Sequence, residues 1–249
     1  MILNRRLTMS SSSRRDFLRQ SAMVGSGLSM TGCDRAENSA AKPPNIVVLL
    51  TDDQRWDMLG AAGNAIIQTP HMDRLAAEGV MFDNHFVTTS ICAPSRASIF
   101  TGLYSRCHGI HGFASAMSDD LHARSYPGRL RDAGYHTAFV GKYGIGRTLP
   151  KEHFDHFEGF SGQGQYVHEM DSEQVHLTRI IGDKALEFLG TCDDEKPFCL
   201  SVSFKAPHVQ DRVPPFFIND PAYDDLYDDI TIPPFEKLDP RYYDSLPAF

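Results

Sequence analysis

The run NIVVLL, from Asn45 to Leu50, is an unbroken apolar stretch rich in β-branched residues. Nothing in it alternates, so it predicts a strand buried on both faces rather than one with a wet side. Such a strand needs a layer above and a layer below, and the rest of the chain offers both. Two further runs of the same kind come later, YHTAFVG (Tyr135 to Gly141) and FCLSVSF (Phe198 to Phe204). Helical signals lie between them. TPHMDRLAAEG predicts a helix with Thr69 as N-cap, Pro70 in the first position and Gly79 as the stop. SICAPSRASIFTG predicts another, with Pro94 in its first turn and Gly102 ending it. In SEQVHLTRIIGDKALEFLG, the residues Leu177, Ile180, Ile181, Lys184, Ala185 and Phe188 share one helical face. Strands alternating with helices predict an α/β fold with a large, mostly parallel sheet flanked by helices.

The residues just beyond each strand carry the chemistry. Asp52 and Asp53 come after the first, Lys142 after the second, and Lys205 and His208 after the third. Ligands of open α/β sheets bind beyond the carboxyl ends of the strands, so these side chains are predicted to meet at one edge. Each alone is ordinary, Asp-Asp after a strand being a common turn; their repetition points to a site. Paired carboxylates make a hard oxygen site suited to Ca²⁺ or Mg²⁺. Arg96 offers a rigid fork for a tetrahedral oxyanion, and the two lysines offer point charges. His208 can donate a proton to a leaving oxygen. Together they predict metal-assisted hydrolysis of an anionic ester. Cys92 is the odd member. At the positive end of its helix, one turn from Arg96, its thiol pKa is predicted to fall. A thiolate is nevertheless soft, and a poor ligand for Ca²⁺. A cysteine phosphatase would need its arginine six positions after the cysteine, where Ser98 stands.

These same residues resemble the type I sulfatases. CAPSRASIFTG is similar to that family's signature, Cys-x-Pro-Ser-Arg followed by Thr-Gly. PNIVVLLTDDQ, TPHMDRLAAEGVMFDNHFVTTSICAPSRAS, LRDAGYHTAFVGK and KAPH resemble its N-terminal half in the same order, from about Pro44 onward. The resemblance implies an alkaline-phosphatase-like fold and oxidation of Cys92 to formylglycine. Pro94 and Arg96 match the positions that the formylglycine-generating enzyme reads. It further implies Asp52, Asp53 and the modified Cys92 as ligands of Ca²⁺, or of Mg²⁺. Arg96 and Lys142 would steady the aldehyde hydrate and the sulfate, and His208 would contact sulfate and donate the proton. A hydrated aldehyde presents hard oxygens where the thiol presents sulfur, which removes the mismatch. One hydroxyl attacks sulfur and displaces the alcohol; the other then expels sulfate. The implied substrate is a sulfated small molecule or glycan.

Two departures from the family stand out. Its usual GKWHLG reads GKYGIG here, so Gly144 replaces a histidine that assists release of sulfate. His108, His111 or a downstream side chain is expected to substitute. The family's second metal-ligand pair and second sulfate-binding lysine lie further downstream, whereas the chain stops at YYDSLPAF. A C-terminally incomplete catalytic domain over 44–249 is therefore expected, with weak metal binding and little turnover. The same scaffold also serves phosphonate or phosphate ester hydrolysis, and a non-catalytic sulfatase-like protein is the third reading.

The N-terminus reads as an address. SSRRDFLRQSAMVGSGLSMTGC resembles a twin-arginine signal, with Arg14-Arg15, Phe17-Leu18 and a short, weakly apolar run. MTGC resembles a lipoprotein cleavage box with Cys33 as the lipidated residue. Residues 1–33 are thus expected to engage the twin-arginine export machinery, and 34–43 to form a polar linker. The product is expected in the periplasm or at the cell surface, lipid-anchored. Residues 1–32 carry five Arg and one Asp, a net charge of +4, leaving 19 basic and 31 acidic residues, a net −12, for the remainder. An acidic body argues against nucleic acid as a partner. It also means that any anionic substrate must be met by a few local cations.

The remaining clusters read as structural. Cys192 and Cys199 either pair in an oxidising compartment or remain free thiols. His85 in FDNHF and His156 in FDHFEGF read as loop packing, and YDDLYDDI as a solvated acidic face. Cys107, His108 and His111 lack the second matching pair that a zinc site needs.

Overall fold

The computed structural model describes residues 42–210, 214–232, 241 and 244–245. The segment expected to act as an export signal, Cys33 as the expected site of lipid attachment, and the end of the chain lie outside the described residues.

In chain order the elements are β1 (Ile46–Leu50), α1 (Pro70–Glu78), α2 (Cys92–Thr101), α3 (Ser105–His108), α4 (Asp119–Arg124), α5 (Tyr126–Asp132) and β2 (His136–Lys142). They continue with β3 (His156–Phe160), β4 (Val167–Met170), β5 (Glu173–His176), α6 (Leu177–Thr191) and β6 (Phe198–Ser203). The main sheet runs in the order β1-β6-β2-β3 with every pair parallel. Its register levels the carboxyl ends: Leu50 lies opposite Ser203, Ser203 opposite Gly141, and Lys142 opposite Phe160. The segments leaving these four strands therefore all emerge on one edge. Among the described residues no helix is long and apolar enough to cross a membrane.

Each face of the sheet has its own core. On one, Ala93, Ala97 and Phe100 of α2 pack with Phe139, Tyr143 and Phe154, and Phe100 stacks on Tyr126 at 5.6 Å between centroids. On the other, Leu177, Ile181, Ala185 and Phe188 of α6 meet Ala138, Val140, Leu200 and Val202 of the two central strands. Ile180 and Lys184, on the same predicted face, are only partly buried.

Four expectations need correction. β1 is not buried on both faces: Val47 and Leu49 are 49% and 58% exposed. They lie level with Leu200 and Val202, on the side of the sheet that α6 covers, but α6 packs over β2 and β6. Thr69 holds the N-cap position of α1 without capping it. Its hydroxyl accepts from the Gly60 amide at 2.8 Å and donates to Asp73 at 2.9 Å, so it anchors the preceding turn. FDHFEGF is not a loop, since His156–Phe160 forms β3 against β2. Helix α6 begins only at Leu177. The residues before it pair with β4 in a hairpin whose turn residues, Asp171 and Ser172, have φ of 50° and 69°. That double left-handed pair suits the right-handed twist of two strands. Gly102, by contrast, stops α2 as predicted, at φ 69° with its amide bonded to the Ser98 carbonyl.

Candidate functional site

At the shared strand edge Asp52 is the centre. Its carboxylate is buried, and it is ion-paired to Lys142 Nζ through Oδ2 and to Arg96 Nη2 at 3.5 Å through Oδ1. Its amide donates to the Ala206 carbonyl at 3.1 Å, tying the end of β1 to the segment after β6. Arg96 reaches this point from α2. Its Nη1 donates to the Lys142 carbonyl at 2.7 Å and to Ser203 Oγ at 2.5 Å. Lys142 also donates to Gln163 Oε1 at 2.5 Å and lies 3.9 Å from Cys92 Sγ. Two buried cations thus face one buried carboxylate. Such a group tolerates burial because each charge is paired and hydrogen-bonded, and its surplus favours an incoming anion.

Asp53 takes the opposite course. At φ 59° it occupies the left-handed region, which Asp enters more readily than most residues. Its side chain is 62% exposed and sits 3.5 Å from His208 Nε2. The other ring nitrogen of His208 is 2.6 Å from the Val209 carbonyl, which can only accept, so Nδ1 carries hydrogen. Nε2 is the atom left facing the site. Donor atoms of Asp52, Cys92 and His208 all lie within 4.8 Å of one another. The metal trio predicted from sequence is Asp52, Asp53 and Cys92; the structure gathers two of these with His208, and Asp53 stands beside them.

Cys92 opens α2, yet its thiol does not behave as the helix terminus alone suggests. Burial pushes its pKa up, outweighing the opposing pull of Lys142, and the Asp52 charge adds to the rise. The expectation of a lowered pKa fails because desolvation works against the thiolate more strongly than the cations favour it. An unmodified Cys92 is therefore a poor nucleophile here.

Lys205 is at the same edge. Buried, it donates to the Val209 carbonyl at 3.0 Å and lies over the Tyr166 ring at 4.8 Å. Tyr166 in turn donates to the His208 carbonyl at 2.6 Å, bracing the loop that carries the histidine. Burial, and after it the charges of Asp52 and Asp53, push the Tyr166 phenol up to about 12. It remains a neutral donor. Gln163, Ser203 and Tyr166 are the site residues that sequence reasoning missed. Gln163 is hidden because the strand before it looks like a loop in sequence.

Gly144 sits against Arg96. With φ 70°, a Cβ there would come within 2.8 Å of Arg96 Cδ, so bare backbone is what lets the guanidinium lie where it does. The expected substitutes for the missing histidine are elsewhere. His108 is buried with Nε2 3.1 Å from Ser98 Oγ, and His111 is exposed on the loop after α3. Cys107, His108 and His111 do not form a metal-competent group among the described residues. His156 lies on β3 near the Phe188 ring, and residues 223–230 are mostly exposed. His85 is exposed and lines a cavity with Asp52 and Asp53. Cys192 and Cys199 are free thiols.

The family model described as Sulfatase matches residues 44–242. The chain is 37% identical over 191 residues to an N-acetylglucosamine-6-O-sulfatase of Bacteroides thetaiotaomicron, covering 73% of this chain and 34% of that protein. It is 33% identical over 175 residues to the human N-sulphoglucosamine sulphohydrolase, covering 68% and 32%. A solved structure described as a complex with its substrate D-glucosamine-2-N,6-O-disulfate superposes with a TM-score of 0.67 at 35% identity, over 79% of this chain and 40% of the other. A phosphonate monoester hydrolase of Agrobacterium radiobacter superposes at 0.52 with 24% identity, over 72% and 43%, a likeness of fold alone. The chain thus spans about a third of the length of the two curated relatives.

Proposed function

The chain belongs to the sulfatase family, and from that premise we propose that its site hydrolyses the sulfate ester of a sulfated amino sugar through a formylglycine made from Cys92. The observation that carries this reading is Cys92 in the first turn of α2, with Lys142 3.9 Å away and Asp52 and His208 at its side. Two relatives are named for sulfated glucosamine and another for aryl sulfates, and the two with the higher identities favour the amino sugar.

The chain's own residues divide the work. Arg96 and Lys142 bring buried positive charge to the place where sulfate oxygens gather charge, and hold it fixed through Ser203, Gln163 and Asp52. His208, with Nδ1 locked onto Val209, serves as proton donor to the leaving oxygen through Nε2 in its imidazolium form, with the Asp53 carboxylate 3.5 Å away as counter-ion. The aldehyde hydrate supplies two hydroxyls, one to attack sulfur and one to release sulfate. A hard divalent cation, Ca²⁺ or Mg²⁺, fits the donor chemistry once sulfur at position 92 becomes oxygen. Asp52 and Asp53 with residue 92 would hold it, three donors of the about six to eight that Ca²⁺ takes. When bound, it supplies charge stabilisation to oxygen. Export by the twin-arginine route and anchoring through Cys33 belong to the same proposal; Cys33→Ser should release the protein from membranes.

The test is made on protein produced with a formylglycine-generating enzyme. Mass spectrometry of the tryptic peptide ending at Arg96 should show the aldehyde, and D-glucosamine 6-sulfate should be hydrolysed faster than an aryl phosphonate. A peptide bearing only thiol overturns the formylglycine reading. Preferred cleavage of the phosphonate overturns the sulfate-ester reading.

A further inference from the structure

Cys92 stands between two cavities of different charge. One, of about 580 Å³, is walled by charges of both signs, Asp52 and Asp53 with Arg55 and Arg96, and by the loop carrying His85. The other, of about 440 Å³, opens between the loops after β2 and β3, with Cys92 and Lys142 on its wall. Among the described residues no carboxylate lines this second cavity. Lys142 and Arg147 contribute its charges, and Gln163 and Phe113 also line it. In a body of net −12 outside the N-terminal segment, an anionic substrate is steered to the side that lacks acid.

Arg147 is exposed, and no acidic partner is assigned to it among the described residues. Elsewhere on this surface Arg55, Arg124, Arg131 and Arg179 each pair with a carboxylate. The loop that bears Arg147 is set by two glycines in the left-handed region, Gly144 at φ 70° and Gly146 at φ 64°. A Cβ on either would meet a neighbour at 2.8 Å, Arg96 Cδ for the first and Ala116 Cα for the second. Bare backbone therefore forms the wall between Lys142 and Arg147, and no side chain of that stretch screens one cation from the other. A guanidinium offers a planar fork matched to sulfate or carboxylate oxygens. Phe113, 56% exposed, adds an apolar surface to the same cavity.

We propose that Arg147 is a specificity-determining residue, which reads a second anionic group of the substrate while the reacting sulfate ester lies at Cys92. The preferred substrate is then a sugar carrying two anionic groups rather than one. This inference rests on the sulfate-ester reading of the site.

Equilibrium binding to the full chain in a Cys92→Ala background, which removes turnover, separates the two ideas. The probes are D-glucosamine 6-sulfate and D-glucosamine-2-N,6-O-disulfate. Arg147→Ala should weaken the disulfate about tenfold, the scale of one lost charge-assisted contact, and change the monosulfate less than about twofold. Arg147→Lys should recover part of the loss, since charge remains while the fork does not. Equal loss for both sugars, or loss for neither, overturns the role of Arg147 and leaves the sulfate-ester reading standing. Failure of both sugars to bind the parent overturns that reading and the inference with it.

Discussion

β1 and β2 look alike as sequence, each an apolar run ending at charged residues, and they lie two places apart in one sheet. Their fates differ. Six of the seven residues of β2 are buried, whereas β1 alternates between partly buried and exposed positions. The flank next to β1 repeats the pattern: α1 contains no buried residue, and Phe82, Phe86 and Val87 are all more than 60% exposed. Yet Asp52, at the end of β1, is buried, as is Lys142, at the end of β2. The site is therefore held by pairing across the strand ends. The quality of packing behind each strand does not decide it.

Breaking that pairing should have the largest effect. Lys142→Ala leaves the buried Asp52 carboxylate with only the longer contact to Arg96, and should cost about 3–5 kcal/mol in urea unfolding. If stability depends instead on the packing behind the strands, the loss will be no larger than for a surface lysine. Next comes the direct contrast of packing. Leu200→Ala, in the centre of β6, should cost about 2–5 kcal/mol. Leu49→Ala, one strand away and mostly exposed, should cost less than about 1 kcal/mol and lessen self-association. Equal losses would erase the difference between the two flanks.

A smaller effect is expected from pH on the well-packed side. His122 is stacked on His153 at 4.2 Å and accepts from or donates to the Tyr143 hydroxyl at 3.3 Å. Burial, helped by the His153 charge, holds its pKa down at about 4. Between an unfolded value near 6.5 and that folded value, the unfolded chain binds a proton that the folded chain refuses. Stability is thus present at neutral pH and lost as pH falls from about 6.5 to about 4. His122→Gln should shrink the difference in Tm between pH 7 and pH 5; an unchanged difference would assign the acid sensitivity to other groups. The smallest effect concerns the thiol itself. Alkylation of unmodified Cys92 should rise only at a higher pH than for an ordinary cysteine, and Lys142→Met should raise that pH further. Reaction at neutral pH as fast as for exposed Cys107 would show that the helix terminus outweighs burial after all.

Much of the architecture is legible along the chain. Unbroken β-branched runs predict three parallel strands, and all three form, although α6 covers only β2 and β6. The residues after each run locate Asp52, Lys142 and His208 at one edge, since parallel strands deliver their carboxyl ends to the same side. Cys92 and Arg96 are legible as one helical turn, and Gly102 as its stop. Order within the sheet is not legible. β6 lies between β1 and β2 although it is last in sequence, and that insertion is what puts Ser203 against Arg96 and the Ala206 carbonyl against Asp52.

Local pattern determined which residues had to be apolar, where helices stopped and which groups had chemistry to offer, because those depend on neighbours in sequence. Tertiary structure alone decided how those groups behave. It set the thiol of Cys92 in a half-buried place where desolvation outweighs the pull of the cations, and left Asp53 open while its neighbour Asp52 is enclosed. It turned Lys205 onto Val209 and brought Gln163 to Lys142 from the loop after a strand whose sequence did not announce it. Burial and charge pairing are properties of the three-dimensional neighbourhood, assembled here from segments as far apart as Asp52 and His208, and no window on the chain contains them.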